Sequence, residues 1–289
     1  MSRKRLITAL LAVLGLCLLV APAALAGVFT PQHDGSPNAD NISQLYELIL
    51  VLAVIVFVGV EGALLWALIK YKARKGAVAA QIHGNTRLEI GWTVGAAVLL
   101  IFITTVTFIK LDEIRNPPKA DVDGSGNPIA SRAMYASTDQ PVAPKGGLNL
   151  NIKVDGQQYV WRYKYPGEKI VFAYEEMVVP VGATVTLDIT ADDVAHSWWI
   201  PALGGKADAV PGYTNHTWFK ALKSGTFTGQ CAELCGRNHA NMLARVRAVP
   251  YAQYKAWYDK QAADIQAAYK AGADARKQLE AQQQQGAGN

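Results

Sequence analysis

The sequence predicts a two-helix membrane hairpin followed by an all-β domain of sandwich or barrel type. Two observations place the hairpin. Residues 45–69 and 88–109 are each long and apolar enough to span a bilayer. Between them, Lys70, Lys72, Arg74 and Lys75 mark the turn as cytoplasmic, so both outer ends lie on the opposite side. The third observation is a change of pattern at residue 148. Leu-Asn-Leu-Asn-Ile-Lys-Val and Tyr159-Val-Trp-Arg-Tyr-Lys-Tyr alternate, and Gly and Pro punctuate further short apolar runs every eight to twelve residues or so.

Composition agrees. Of 289 residues, 51% are hydrophobic and only 18% charged, which suits long apolar stretches beside an ordinary folded domain. The net charge of +5 includes Arg3, Lys4 and Arg5 at the start, so the basic balance is partly a targeting feature and not a nucleic-acid footprint.

In chain order, residues 1–26 read as a signal peptide: the basic triplet, an apolar run containing Cys17, then Ala24-Leu25-Ala26. Residues 27–44 are polar, with Pro31, Gly35 and Pro37, and are expected to form an external arm. The hairpin occupies 45–110. Residues 111–147 read as a linker whose Gly-, Pro-, Asp- and Ser-rich part, 118–147, is a flexible insertion. The β domain covers 148–250, with strands expected at 178–181, 184–189, 196–200, 216–220 and 225–229. Residues 251–289 are rich in Ala, Gln and Lys and are expected to form a surface helix ending in a disordered Gln/Gly tail. No Cys-x-x-Cys-His run follows, so no haem-attachment domain is expected there.

One stretch carries chemistry. Residues 231–242 read Cys-Ala-Glu-Leu-Cys-Gly-Arg-Asn-His-Ala-Asn-Met, and His196 lies upstream in Asp-Val-Ala-His-Ser-Trp. Thiolate and thioether favour copper, and imidazole suits it. With Cys231 and Cys235 both present, each thiolate can bridge a pair of copper ions, with His196 and His239 terminal and Met242 in support. Two other readings use part of the set. Two Cys and two His can make a tetrahedral zinc site, although the usual short His-x3-5-His pairing is missing. The two thiols can also pair as a disulfide in an exported chain.

The run Cys231-x3-Cys235-x3-His239-x2-Met242 with upstream His196 resembles the binuclear copper centre, CuA, of subunit II of the haem-copper cytochrome c oxidases. The resemblance spans about residues 45–249 and is broken by the insertion. It implies a cupredoxin-like Greek-key sandwich behind the two-helix hairpin. It also implies a bacterial inner-membrane location with the copper domain on the periplasmic face, and oxidase subunits I and III as partners. Within it the chain accepts electrons from a cytochrome c-type donor and passes them to haem in subunit I, where oxygen is reduced to water in a proton-translocating enzyme. Glu233 gives its backbone carbonyl to one copper, and its carboxylate helps bind magnesium at the subunit I contact.

Further positions follow from the same resemblance. Gly156-Gln-Gln-Tyr-Val-Trp-Arg-Tyr-Lys-Tyr matches the family's aromatic region, which puts Tyr159 where the family's electron-entry Trp stands and Trp161 at its second Trp. Glu89, in Leu-Glu-Ile-Gly-Trp-Thr, matches the glutamate at the mouth of a proton path. Asp193 matches a donor-docking acid, and Lys206 and Asp208 match polar residues near subunit I. Arg162, Lys164 and Lys169 stand where the family often carries acids, so weak steering of a basic donor is expected. Glu61 lies deep in the first span and matches no family residue. Two rival functions stay open: a quinol oxidase subunit of the same fold, and a membrane-anchored copper carrier acting alone.

Overall fold

The computed structural model describes residues 29–72, 76, 78, 81–118, 121–122 and 147–286. The signal peptide expected at 1–26, nearly all of the insertion at 118–147 and the last three residues lie outside the described residues. The chain divides into two compact units. One holds 43–110; the other joins 33–42 to everything from 111 onward.

The first unit is the helix pair. Helix α1 runs Pro37–Lys70 and α2 runs Thr86–Arg115. Both are long and apolar enough to cross a membrane, and neither apolar stretch is buried in the protein. Exposed apolar side chains along a helix are what lipid, not water, solvates. Both helices exceed their sequence-read spans. Pro37 opens α1, where its fixed φ suits the first turn, and Asp40 favours the positive helix end. Residues 37–44 of the expected external arm are therefore helical. Asn38 Nδ2 donates to the Trp218 carbonyl at 3.1 Å, and Ser36 Oγ, just before the helix, accepts from Lys220 N–H. Helix α2 continues through residues 111–115, where a linker was expected, and the Ile114 carbonyl accepts from Trp218 Nε1 at 2.9 Å.

The second unit is a two-sheet sandwich with one added ribbon. Strands are β1 Asn149–Gln157, β2 Val160–Lys164, β3 Phe172–Tyr174, β4 Glu176–Pro180, β5 Thr184–Ala191, β6 His196–Trp198, β7 Ala207–Ala209, β8 Asn215–Lys220, β9 Gly225–Gln230 and β10 Leu243–Val249. The first sheet orders them β3-β2-β1-β5-β8, the second β4-β10-β9, and β6 pairs β7. Two pairs are parallel, β1 with β5 and β4 with β10, which requires the long crossovers of a Greek key. Alternate residues from both sheets fill one core: Ile152, Val154, Trp161 and Leu187 from the first, Met177, Val179 and Val246 from the second. Tyr165 pins the sheets, its hydroxyl donating to the Val178 carbonyl and accepting from Val178 N–H.

Strand β10 is absent from the sequence reading. Its inward residues include Ala244 and Ala248, too small to give a strong alternating signal, and it follows the ligand run without a turn. Helix α3, Tyr251–Gly286, is longer than expected and takes in the Gln run read as a disordered tail. Its first part docks through buried Tyr254, Ala262 and Ile265, and Gln261 Nε2 donates to the Phe172 carbonyl at 2.9 Å.

The basic residues of β2 are already paired. Asp155 binds Arg162 at 2.7 Å and Lys164 at 2.9 Å, and Lys169 binds Asp259 on α3. Burial pushes the Asp155 carboxyl up, but hydrogen bonds and charge from Lys164 and Arg162 outweigh it and hold it below the usual carboxylate range. A depressed folded pKa stabilises the fold above the unfolded value, near pH 4, and that share is lost as pH falls through the folded value. Denaturant titrations from about pH 5 downward should show this loss, and Asp155→Asn should remove it while lowering stability at neutral pH.

Candidate metal centre

The site is built from one strand and one loop. Strand β6 presents His196, and the β9–β10 connection, residues 231–242, presents the rest. Main-chain bonds shape that loop. Cys231 N–H donates to the Met242 carbonyl at 2.9 Å and closes it, and Ala232 N–H donates to the Ser197 carbonyl at 2.9 Å and ties it to β6. A 3-10 turn at His239–Asn241 swings the imidazole back over the loop. Gly236 sits at φ 133°, a conformation that side chains rarely adopt, and a Cβ there would meet the Tyr159 hydroxyl at 2.6 Å.

Six donors converge. Cys231 Sγ lies 3.9 Å from Cys235 Sγ, 3.9 Å from His196 Nδ1 and 3.2 Å from the Glu233 carbonyl oxygen. Cys235 Sγ lies 3.5 Å from His239 Nδ1 and 3.8 Å from Met242 Sδ. The two thiols are central, with one imidazole beside each. Both cysteines are free and buried, so the disulfide reading has no support here. Six donors also exceed the four of a tetrahedral structural zinc site. The set fits two thiolate-bridged copper ions, soft sulfur at the centre and imidazole at both ends. Burial first, then the neighbouring Cys231, pushes the Cys235 thiol up to about 11, so metal binding there would release a proton.

The surrounding groups fix the donors. His196 is fully buried, and its Nε2 meets Asp193 Oδ1 at 2.8 Å. An imidazole that donates there keeps Nδ1 free of a proton and aimed at the thiols. Asp193 is itself held by the Gln158 and Val194 N–H groups, both at 2.7 Å. Burial pushes its carboxyl up, but the bond to His196 and these two N–H groups hold it below the usual range. Gln158 also reaches the second ligand segment, its Nε2 donating to the Cys235 carbonyl at 2.6 Å. Gly156 makes room for the ring: a Cβ there would stand 3.0 Å from His196 Cδ2 and 3.1 Å from the Trp161 ring.

The other sequence-read residues fall in three places. Trp161 is fully buried, edge-on to His196 with ring centroids 5.8 Å apart, and Tyr159 is half-buried beside Gly236. Asp193 is an orienting partner of His196, and its neighbour Asp192 is bridged by Arg162 at 3.0 Å. Glu233 turns its carbonyl to Cys231 and its side chain to solvent. Asp208 accepts from Ser197 Oγ at 2.9 Å, and Lys206 lies over the Trp199 ring. Glu89 belongs to the other unit. There it caps α2: its Oε1 accepts from Asn85 N–H at 3.2 Å, while Asn85 Oδ1 accepts from Leu88 N–H. Sequence reasoning missed Gln158 and Gly156. A surface glutamine carries no signal of its own, and the glycine stands in the sequence as no more than the start of an aromatic motif.

Comparisons with known proteins identify the family. A family model described as the periplasmic domain of cytochrome c oxidase subunit II matches residues 169–249, and one for its transmembrane domain matches residues 24–109. Cytochrome c oxidase subunit 2 of Cereibacter sphaeroides is 32% identical over 79% of this chain and 78% of its own length. The same subunit of Alkalihalophilus pseudofirmus is 35% identical over 80% of this chain, which spans only 61% of that relative. Among solved structures, the periplasmic domain of subunit II of cytochrome oxidase from Bradyrhizobium japonicum is 38% identical, covering 39% of this chain and 92% of that domain with a TM-score of 0.38.

Loss of an orienting partner commonly lowers metal affinity by about 10- to 100-fold. Asp193→Ala should weaken copper binding by that order in a chelator competition, while Asp192→Ala, which touches no ligand, should leave it unchanged.

Proposed function

Because this chain belongs to the cytochrome c oxidase subunit II family, we propose that it receives electrons at a binuclear copper centre, CuA, and hands them to haem in subunit I, where oxygen is reduced to water. The convergence of Cys231, Cys235, His196, His239, Met242 and the Glu233 carbonyl carries this reading. A copper pair bound there supplies a one-electron carrier whose charge change is spread over two metals and two sulfurs. The protein's part is to hold the donors still. The thiolates of Cys231 and Cys235, the imidazoles of His196 and His239, the Met242 thioether and the Glu233 carbonyl would hold the copper pair. The closed loop, the tie to β6 and the Asp193–His196 bond keep these groups in place, so little protein rearrangement accompanies each transfer.

Electrons enter from a cytochrome c-type donor at the rim where Tyr159 covers Gly236, with Trp161 packed behind against His196. Asp193, already engaged with His196, contributes less free charge to docking than a bare surface acid. Arg162 and Lys164 are themselves paired, which leaves the rim close to neutral and favours a donor that is not strongly basic. The exposed carboxylate of Glu233 is available to a magnesium ion shared with subunit I, since that ion takes one or two carboxylates and keeps its waters. Glu89, at the cytoplasmic end of α2, is placed for proton entry as well as for capping. The chain would sit in the bacterial inner membrane beside subunits I and III, with its copper domain on the periplasmic side.

Loading the protein with copper tests the centre. Two coppers per chain and a mixed-valence paramagnetic signal, with one electron shared equally by both metals, are expected. A mononuclear signal would overturn the CuA reading. Cys231→Ser or Cys235→Ser should abolish the shared-electron signal, because each removes a bridge. Isolation in mild detergent separates the rivals: a carrier acting alone would come without haem, and a quinol oxidase subunit without copper. For electron entry, Tyr159→Ala should slow reduction by the donor at least about tenfold with copper content unchanged, a barrier increase near 1.4 kcal/mol.

A further inference from the structure

Gln158 lies in the turn between β1 and β2 and is no ligand, yet it touches a support on each side of the thiol pair. Its main-chain N–H donates to Asp193 Oδ2 at 2.7 Å, and Asp193 Oδ1 meets His196 Nε2 at 2.8 Å. Its side-chain Nε2 donates to the Cys235 carbonyl at 2.6 Å. The first bond uses the backbone, so any residue but proline at this position can make it. The second needs a side chain of this length that ends in a donor. Only the second therefore depends on residue 158 being glutamine.

The packing around that second bond is close. A Cβ on Gly236, the residue after Cys235, would stand 3.0 Å from Gln158 Nε2 and 2.6 Å from the Tyr159 hydroxyl. The glycine thus lets the turn lie directly against the peptide group that follows Cys235. Cys235 is buried, with its Sγ 3.9 Å from Cys231 Sγ and 3.5 Å from His239 Nδ1. An N–H aimed at the carbonyl of a thiolate ligand places the positive end of a dipole on that ligand's side of the site. A metal centre that gains an electron becomes more negative, and hydrogen-bond donors around its ligands favour that state. The effect is stronger among low-dielectric groups than in water.

We propose that the Gln158 side chain is a positioning residue that raises the reduction potential of the metal centre, by donating to the Cys235 carbonyl. This rests on the copper-pair reading of the site and deepens it: part of the driving force for electron uptake is assigned to a residue that holds no metal. The adjacent Gln157 supplies the contrast. Its side chain donates instead to Asp192 Oδ2 at 2.6 Å, and Asp192 is not a ligand.

The test is a stepwise reduction of the full copper-loaded chain in detergent against redox dyes, with visible and paramagnetic spectra recorded throughout. Gln158→Leu fills a similar space, keeps the N–H to Asp193 and removes the donor. It should take up two coppers with unchanged spectra. Its equilibrium constant for reduction should fall about three- to tenfold, the net worth of one hydrogen bond. A tenfold fall corresponds to about 59 mV for a one-electron couple. Gln158→Asn, one methylene shorter, withdraws the amide from the carbonyl and should give a fall of the same order, so the test does not hang on one variant. Gln157→Leu should leave the potential unchanged. An unchanged potential in Gln158→Leu, or an equal fall in Gln157→Leu, would overturn the proposal. So would a folded Gln158→Leu chain that no longer takes up two coppers, since the amide would then serve assembly of the site and not its potential. A wild-type chain that binds no copper pair would instead overturn the CuA reading beneath it.

Discussion

A twelve-residue loop cannot hold two thiols, an imidazole, a thioether and a carbonyl at one point by its own stiffness. The bond from Cys231 N–H to the Met242 carbonyl makes this possible, together with the bond from Ala232 N–H to the Ser197 carbonyl. The first closes the loop on itself, so that its first and last ligands stand side by side. The second fastens it to the strand that carries His196. Strands β9 and β10 pair antiparallel from Leu243 opposite Gln230, which sets the mouth of the loop. The sandwich therefore acts as the frame of the site, with a close-packed core of low compressibility behind it.

Around that frame the polar groups are economical. Asp193 orients His196 and is itself oriented by two N–H groups, one of them from Gln158. Gln158 then reaches the Cys235 carbonyl. The two ligand segments are thus joined through a single rim residue, beside the tyrosine proposed to admit the electron. Docking face and metal cage are not separate layers here.

The membrane helices show a different economy. Glu89 meets the backbone needs of a helix start, so its position is explained locally whether or not protons pass it. Glu61 has no such local use.

Much was legible in the sequence because it depends on local chemistry. Two long apolar spans need no tertiary information to be recognised, and a Cys-x3-Cys-x3-His-x2-Met run announces soft-metal ligation by residue type alone. Alternation revealed the strongly apolar strands and hid β10, whose inward alanines bury little area. The start of α1 was misjudged where a polar residue finds its partner in the β domain, as Asn38 does at the Trp218 carbonyl. The roles of Asp193, Gln158 and Gly156 were decided by the tertiary structure. Asp193 read as a surface acid because only the fold brings the Gln158 N–H, 35 residues away, to its carboxylate. The sequence determined which atoms can bind the metal. Only the fold decided which groups hold those atoms, because orientation is set by contacts between segments that are distant in the chain.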